Sequence, residues 1–383
     1  MRVAIFHDYF SFIGGGEKLV LTLARHLNAD IITTNVDYDL ISRMGFDDVR
    51  VISLGTLTGI EPLKQIQATW KFAACDFRGK YDFYIFSGNW AHHASKRHRP
   101  NLYYCHAHVR VFYDLKEQTV KALRNPLKRL LARAWIYAHS YYDKRSIARV
   151  DRIVANSRCI ARRIKKYLGR ESVVVYPPSD TSRFEYAGDE GFWLSVNRLF
   201  PEKRIEVQLG AFARMPDQNL VIIGGGDRGE YSGSYARMIK ENLPPNVRLV
   251  SDLPEEKLIE YYGRCRGFIA TSENEPFGMA AVEAMASGKP VIAVNEGGFV
   301  ESVLDGRTGR LIRCSEDELI RAVREVGRYA ADFRDACIAR SKKFDVSAFF
   351  SAMDALIAEP SGLQAVELDP EPMRTPVRLL SKP

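Results

Sequence analysis

Two glutamates eight residues apart, Glu275 and Glu283, stand in the stretch 271–290, TSENEPFGMAAVEAMASGKP. Gly267 to Ala270 before it is a short apolar run that reads as a buried strand. After the turn Glu275-Pro276-Phe277-Gly278 the chain is rich in Ala and Met, which favour helix. Gly288 and Pro290 stop that helix, and Val291 to Val294 reads as the next strand. A loop between a parallel strand and a helix lies at the strand's carboxyl end, where open α/β sheets bind ligands. Glu275 ends the loop and Glu283 lies about two turns along the helix, so both carboxylates can face one cleft. The N–H groups of Phe277, Gly278 and Met279 would point into the same cleft as an anion site.

The elements that position other candidates follow the same alternation. Val3 to Phe6 reads as a first strand, with Gly14-Gly15-Gly16-Glu17 and then Leu19 to Leu27 at helical spacing. A glycine turn there lets backbone approach a phosphate or sugar closely, although a plain tight turn uses the same residues. Further strands are read at 31–34, 49–54, 81–87, 153–157, 173–176, 192–196, 220–223 and 247–250. The strand beginning at Leu102 exits through Cys105-His106-Ala107-His108. Two histidines at i, i+2 are candidate metal ligands, but no third ligand accompanies them in sequence. Ser157 caps a helix that Gly169 closes, with Ile160, Ile164 and Leu168 as its apolar stripe. Pro177-Pro178 breaks regular structure between the two halves, and Gly224 to Asp227 reads as another glycine turn. Helical patterns at 316–328 and 331–343 precede a last amphipathic helix, 346–358, and a proline-rich tail, 359–383, expected to pack little.

At 383 residues the chain can hold two full cores. No apolar run approaches the roughly 20 residues of a membrane span, and the N-terminus lacks a signal-peptide layout. Six cysteines without a C-x-x-C pair read as buried thiols in a reducing cytoplasm. The net charge of +8 is uneven: residues 1–175 carry 29 Lys and Arg against 15 Asp and Glu, the remainder 26 against 32. Residues 121–170 hold 15 basic side chains and only two acids, Asp143 and Asp151. Such a half suits an anionic surface. It shows no nucleic-acid reading motif or aromatic stacking platform, so no nucleic-acid partner is expected.

E-P-F-G-x4-E followed by A-M-A-S-G-K-P-V-I-A resembles the E-x7-E signature of retaining glycosyltransferases of family 4, which have the GT-B fold. Other stretches carry the same resemblance. Asn197-Arg198-Leu199 to Lys203 is similar to the family's G-R-L-x-x-x-K motif, with Asn197 in place of glycine. YPPSDTSRF resembles the interdomain junction, and Gly297-Gly298-Phe299-Val300-Glu301 the G-G-x-x-E loop. His106 to Asp114 is similar to the H-x-P-x-R-x-x-x-D stretch of members using mannose-type donors, with Ala107 or His108 in place of the proline.

The resemblance implies an α/β protein of two doubly wound Rossmann-like domains facing a cleft, 1–176 on the acceptor side and 177–345 binding a nucleotide-sugar. Gly15 and Gly16 would line the cleft. Arg198 and Lys203 would clamp the donor diphosphate. Glu283 would take the ribose hydroxyls, and Glu275 with Pro276, Phe277, Gly278 and Met279 the transferred sugar. His106 would contact the sugar, supported by Arg110 and Asp114. Transfer on the donor's front face needs no covalent nucleophile, and neither metal nor other cofactor is expected. The expected reaction moves mannose from GDP-mannose to a saccharide or lipid-linked acceptor, at the inner face of a membrane. Its rivals are a UDP-sugar enzyme with a soluble acceptor, a sugar-nucleotide epimerase and a non-catalytic nucleotide-sugar-binding protein. A paired-carboxylate hydrolase would leave Arg198 and Lys203 without a purpose.

Overall fold

The computed structural model describes residues 1–11, 14–224, 230–251 and 253–359. The glycine turn read at Gly224 to Asp227 lies mostly outside them, as does nearly all of the proline-rich tail. Two compact units divide the chain: Met1–Tyr176, joined by the chain from Phe350, and Pro177–Phe349.

In the first unit seven parallel strands form one sheet. They are β1 (Val3–His7), β2 (Asp30–Thr33), β3 (Val51–Ser53), β4 (Phe83–Ser87), β5 (Asn101–Cys105), β6 (Arg152–Ala155) and β7 (Val173–Val174). Their spatial order is β3-β2-β1-β4-β5-β6-β7, so the winding reverses between β1 and β4. Every residue of β1, β4 and β5 is buried, as a strand covered by helices on both faces requires. Phe6 centres the core, its ring 5.5–6.5 Å from those of Phe72, Phe77 and Phe86. The helix Pro126–Ile147 opens as read, with Pro126 at its first position and the Asn125 side chain accepting from the Leu127 N–H. The helix Arg158–Leu168 has Ser157 as its cap and Gly169 at its left-handed end. The chain returns to this unit in the helix Val346–Ala358, where Phe350 stacks on His26 and Asp354 pairs with the same imidazole.

The second unit has six parallel strands. They are β8 (Phe192–Val196), β9 (Asn219–Ile223), β10 (Val247–Val250), β11 (Gly267–Ala270), β12 (Val291–Val294) and β13 (Gly309–Ile312). The order β10-β9-β8-β11-β12-β13 puts the reversal between β8 and β11. Trp193, Phe212, Ile269 and Ile292 are fully buried in its core. The sequence reading missed β13, whose Arg310 and half-buried Leu311 break the apolar run of an interior strand. It is an edge strand, and its pairing with β12 supplies what its composition lacks.

Candidate functional site

In the second unit the loops leaving β8, β11 and β12 lock together at the reversal. The Thr271 hydroxyl donates to the Lys203 carbonyl at 2.7 Å and receives the Gln208 amide at 2.8 Å. The Glu273 N–H reaches the Glu202 carbonyl at 2.7 Å. Arg204 sits in the left-handed region (φ 50°) and pairs with Glu296 at 2.9 Å and Glu273 at 3.5 Å. Burial opposes its charge, but Glu296 and Cys314 hold its pKa above the usual arginine value.

The loop carrying Glu275 has no room to spare. The Gly298 N–H donates to the Glu275 carbonyl at 2.7 Å. A Cβ on Gly297 would lie 2.3 Å from that carbonyl oxygen, and one on Gly298 2.4 Å from Phe277 Cα. Gly278 has φ +90° and precedes the helix Met279–Ala286. Its position delivers the helix's first N–H groups, which have no intrahelical acceptor, beside Glu275.

The structure brings Lys203 and Glu275 together: Lys203 Nζ donates to Glu275 Oε2 at 2.7 Å, with both side chains about one-fifth exposed. An ammonium has three donors and a carboxylate about four acceptor sites, so neither is exhausted by this bond. Arg198, six residues after Phe192 opens β8, is exposed, with its guanidinium 5.2 Å from the Phe200 ring centre. Glu283 lies half-buried in the second turn of the helix and accepts the Tyr262 hydroxyl at 2.8 Å. Tyr262 is fully buried; burial and the facing Glu283 push its pKa well above the usual value, so it remains a donor.

In the first unit the matching exits, those of β1, β4 and β5, meet through histidines. His106 Nε2 is 2.8 Å from Ser87 Oγ, which is 3.3 Å from His7 Nδ1. His7 Nε2 faces Glu17 Oε1 at 3.8 Å. The His106 ring lies over Gly16, where a Cβ would be 3.7 Å from it. Burial, reinforced by His7, lowers the His106 pKa to about 4, so its imidazole is neutral near pH 7. Burial works against an ionised Glu17, yet His7 holds that carboxyl below its usual range. Asp8, directly after β1, accepts the N–H groups of Asn89, Trp90 and Ala91 at 2.5–2.9 Å and so fixes the β4 exit. Its own pKa is raised by burial.

The two histidines of the β5 exit take different partners. His108 is buried, stacks on Tyr167 and bonds Asp114 at 2.7 Å. Arg110 holds the other Asp114 oxygen at 2.9 Å. Burial raises the Asp114 pKa, but His108 and Arg110 bring it down to about 2. His108, Arg110 and Asp114 thus form a structural brace behind His106. The sequence reading missed His7, Glu17 and Ser87 as partners of His106, and Tyr262 as the partner of Glu283. Tyr262 stands at helical spacing with Leu258 and Ile259, so the sequence marks it as apolar and its hydroxyl carries no spacing signal.

Two doubly wound parallel sheets, each with loops gathered at its reversal, define the GT-B class. Its solved members include Anabaena HepE in complex with UDP and glucose, which covers 93% of this chain and 99% of its own at TM-score 0.71 and 18% identity. The sucrose-phosphate synthase of Thermosynechococcus elongatus covers 93% and 98% at TM-score 0.72 and 20% identity. Residues 179–344 match the family model of glycosyl transferases group 1, and residues 13–183 that of glycosyltransferase family 4. The chain thus has the GT-B fold, its first half similar to glycosyltransferase family 4 and its second half to glycosyl transferases group 1. Among curated relatives, an uncharacterized glycosyltransferase of Methanocaldococcus jannaschii is 29% identical over 45% of this chain and 48% of its own. The D-inositol 3-phosphate glycosyltransferase of Nocardia farcinica is 31% identical over 45% and 44%. The alpha-1,3/1,6-mannosyltransferase ALG2 of Dictyostelium discoideum is 24% identical over 59% and 61%. The chain spans about half the length of these relatives.

Proposed function

We propose that the chain is a retaining glycosyltransferase that moves a sugar from a nucleotide-sugar donor to a hydroxyl-bearing acceptor. The observation that carries this is the meeting of Lys203, Glu275 and a helix start at the reversal of the second sheet. Arg198 and Lys203 neutralise the charge that builds on the leaving diphosphate, aided by the N–H groups from Phe277 to Met279. Glu275 accepts from a hydroxyl of the transferred sugar. Glu283, aimed by Tyr262, accepts both hydroxyls of the ribose. Charge neutralisation is thereby assigned to side chains, and the reaction is proposed without a metal.

His106 takes a hydroxyl contact from the first unit. With Glu17 favouring a proton on His7 Nε2, His7 Nδ1 accepts from the Ser87 hydroxyl. Ser87 Oγ then accepts from His106 Nε2–H, and His106 Nδ1 keeps its lone pair. That lone pair suits a sugar hydroxyl as donor.

Mannose from GDP-mannose is the preferred donor, on the similarity of 106–114 to mannose-type enzymes and on the ALG2 relative. HepE, solved in complex with UDP and glucose, keeps a UDP-sugar as the alternative. A thermal-shift screen of nucleotide-sugars, followed by turnover of the labelled donor and the anomeric configuration of the product, tests the reading. GDP-mannose should raise the melting temperature, and Glu283→Gln should remove the rise. A shift with UDP-sugars alone would reassign the donor. No shift with any nucleotide-sugar, or an inverted product, would reject the proposal.

The acceptor is proposed to be lipid-linked, with the first unit docking on an anionic lipid surface. On the helix Pro126–Ile147, Leu127, Leu130, Leu131 and Tyr137 are 60–78% exposed among Lys128, Arg129 and Arg133. The segment expected to dock, 121–170, divides here. Ile160 and Ile164 of the next helix are fully buried, so its apolar stripe belongs to the core. No helix among the described residues is long and apolar enough to cross a membrane. Exposed apolar residues flanked by cations lie well in a lipid interface. Co-sedimentation with anionic vesicles should fall on Leu130→Glu with Leu131→Glu and at high salt. Equal binding to neutral vesicles, or none to either, would leave a soluble acceptor.

A further inference from the structure

Behind the β4 exit, three side chains converge that the transfer chemistry does not use. His92 and His93 lie in the short 3-10 helix Ala91–Lys96, and Asp143 in the helix Pro126–Ile147. One ligating atom from each lies within 4.8 Å of the other two. His92 and Asp143 are buried, and His93 is half-buried.

The hydrogen bonds around His92 select its tautomer. Ser146 has one hydroxyl proton and donates it to the His92 carbonyl at 2.8 Å. Its oxygen must then accept from His92 Nδ1–H, 2.9 Å away. In the neutral ring Nε2 is therefore bare. That nitrogen faces Asp143 Oδ1 at 3.1 Å, yet neither atom makes a hydrogen bond. The other Asp143 oxygen accepts from the Tyr113 hydroxyl. Two buried lone-pair atoms thus confront each other, an arrangement that is costly unless a cation lies between them. Ligands about 2.0–2.1 Å from a tetrahedral metal sit roughly 3.3 Å apart, close to the separation here.

We propose that His92 Nε2, the His93 imidazole and Asp143 Oδ1 bind a divalent transition metal, zinc by their nitrogen and oxygen chemistry. Two imidazoles and one carboxylate are ligands zinc accepts, with a fourth position for water or a further side chain. Ser146 and Tyr113 orient the ligands from behind, as outer-shell groups do at metal sites. The role is structural. The ion ties the segment whose amides hold Asp8 to the basic helix, and the transfer reaction is still proposed without it.

Full-length protein, stripped with chelator and checked for native circular dichroism, is titrated with Zn²⁺ by calorimetry. About one equivalent should bind, and binding should raise the unfolding temperature. Co²⁺ in its place should give the visible absorption of a four-coordinate site. His93→Gln, at the half-buried ligand, should keep the fold and lose both the binding and the stabilisation. Ser146→Ala leaves the ligands but releases the tautomer, and should weaken binding about 10–100-fold. Natively folded protein that binds no Zn²⁺, or a His93→Gln variant that binds it undiminished, would overturn the assignment. In the first case His92 would be an imidazolium paired with Asp143, with a proton on Nε2 visible by NMR.

Discussion

In the second unit, the loops leaving β8, β11 and β12 meet through charges kept partly in solvent: Lys203 with Glu275, and Arg204 with Glu296 and Glu273. In the first unit, the loops leaving β1, β4 and β5 meet through groups nearly sealed from it: His7, Ser87, Glu17 and Asp8 are all buried. Both sets stand at the point where the strand order reverses. The shared topology supplies a place, and the side chains decide its chemistry. Partly exposed ion pairs can exchange partners with an incoming anion at a smaller cost in desolvation than buried ones. The neutral His106 ring instead fixes the direction of a hydrogen bond, because its contact with Ser87 commits one ring nitrogen and leaves the other as an acceptor.

This contrast can be broken first at its charged end. Arg198→Ala and Lys203→Ala should each cost about 2–4 kcal/mol of transition-state stabilisation, seen as a loss in kcat/KM. A double variant with unchanged turnover would remove the diphosphate role. At the buried end, the prediction concerns pH. His106 is neutral in the folded state down to about pH 4 and titrates near 6.5 when unfolded. Between those values the unfolded chain binds more protons, so stability falls as pH is lowered through this window. The full contribution is on the order of 3 kcal/mol. Urea unfolding from pH 7 to pH 4 measures the slope, and His106→Gln should flatten it; an identical slope would show the ring to be solvated.

Smaller effects sharpen the same comparison. Gly298 has an ordinary helical backbone (φ −79°), so Gly298→Ala tests close approach alone. Its methyl would press on Phe277 Cα, and the protein should lose about 1–3 kcal/mol in stability together with donor binding. Tyr262→Phe removes only the hydroxyl that aims Glu283 and should weaken nucleotide binding by about 1 kcal/mol, read by calorimetry. Glu275→Gln should spare free nucleotide and lower transfer, whereas Glu283→Gln should weaken nucleotide and donor alike. The opposite partition would exchange the two assignments.

The charged site was largely legible along the chain because its parts come from contiguous stretches whose residue types state their chemistry. Glu275 to Glu283 spans one loop and one helix, so the loop, its glycine turn and the helix start could be read from local backbone rules. Apolar runs likewise announced strands such as β8, β11 and β12 to the residue, since a strand buried on both faces is mostly apolar. What the sequence by itself could not determine were pairings across the sheet. Lys203 meets Glu275 only because β8 lies beside β11, and His106 meets Ser87 and His7 only because β5, β4 and β1 are neighbours. The same holds for Asp143, which reads as a lone acid in a basic helix and is buried against His92 some fifty residues earlier. Hydrophobic periodicity specifies which face of an element is covered, whereas strand order specifies which polar groups share a cover. Only the folded chain decides the second.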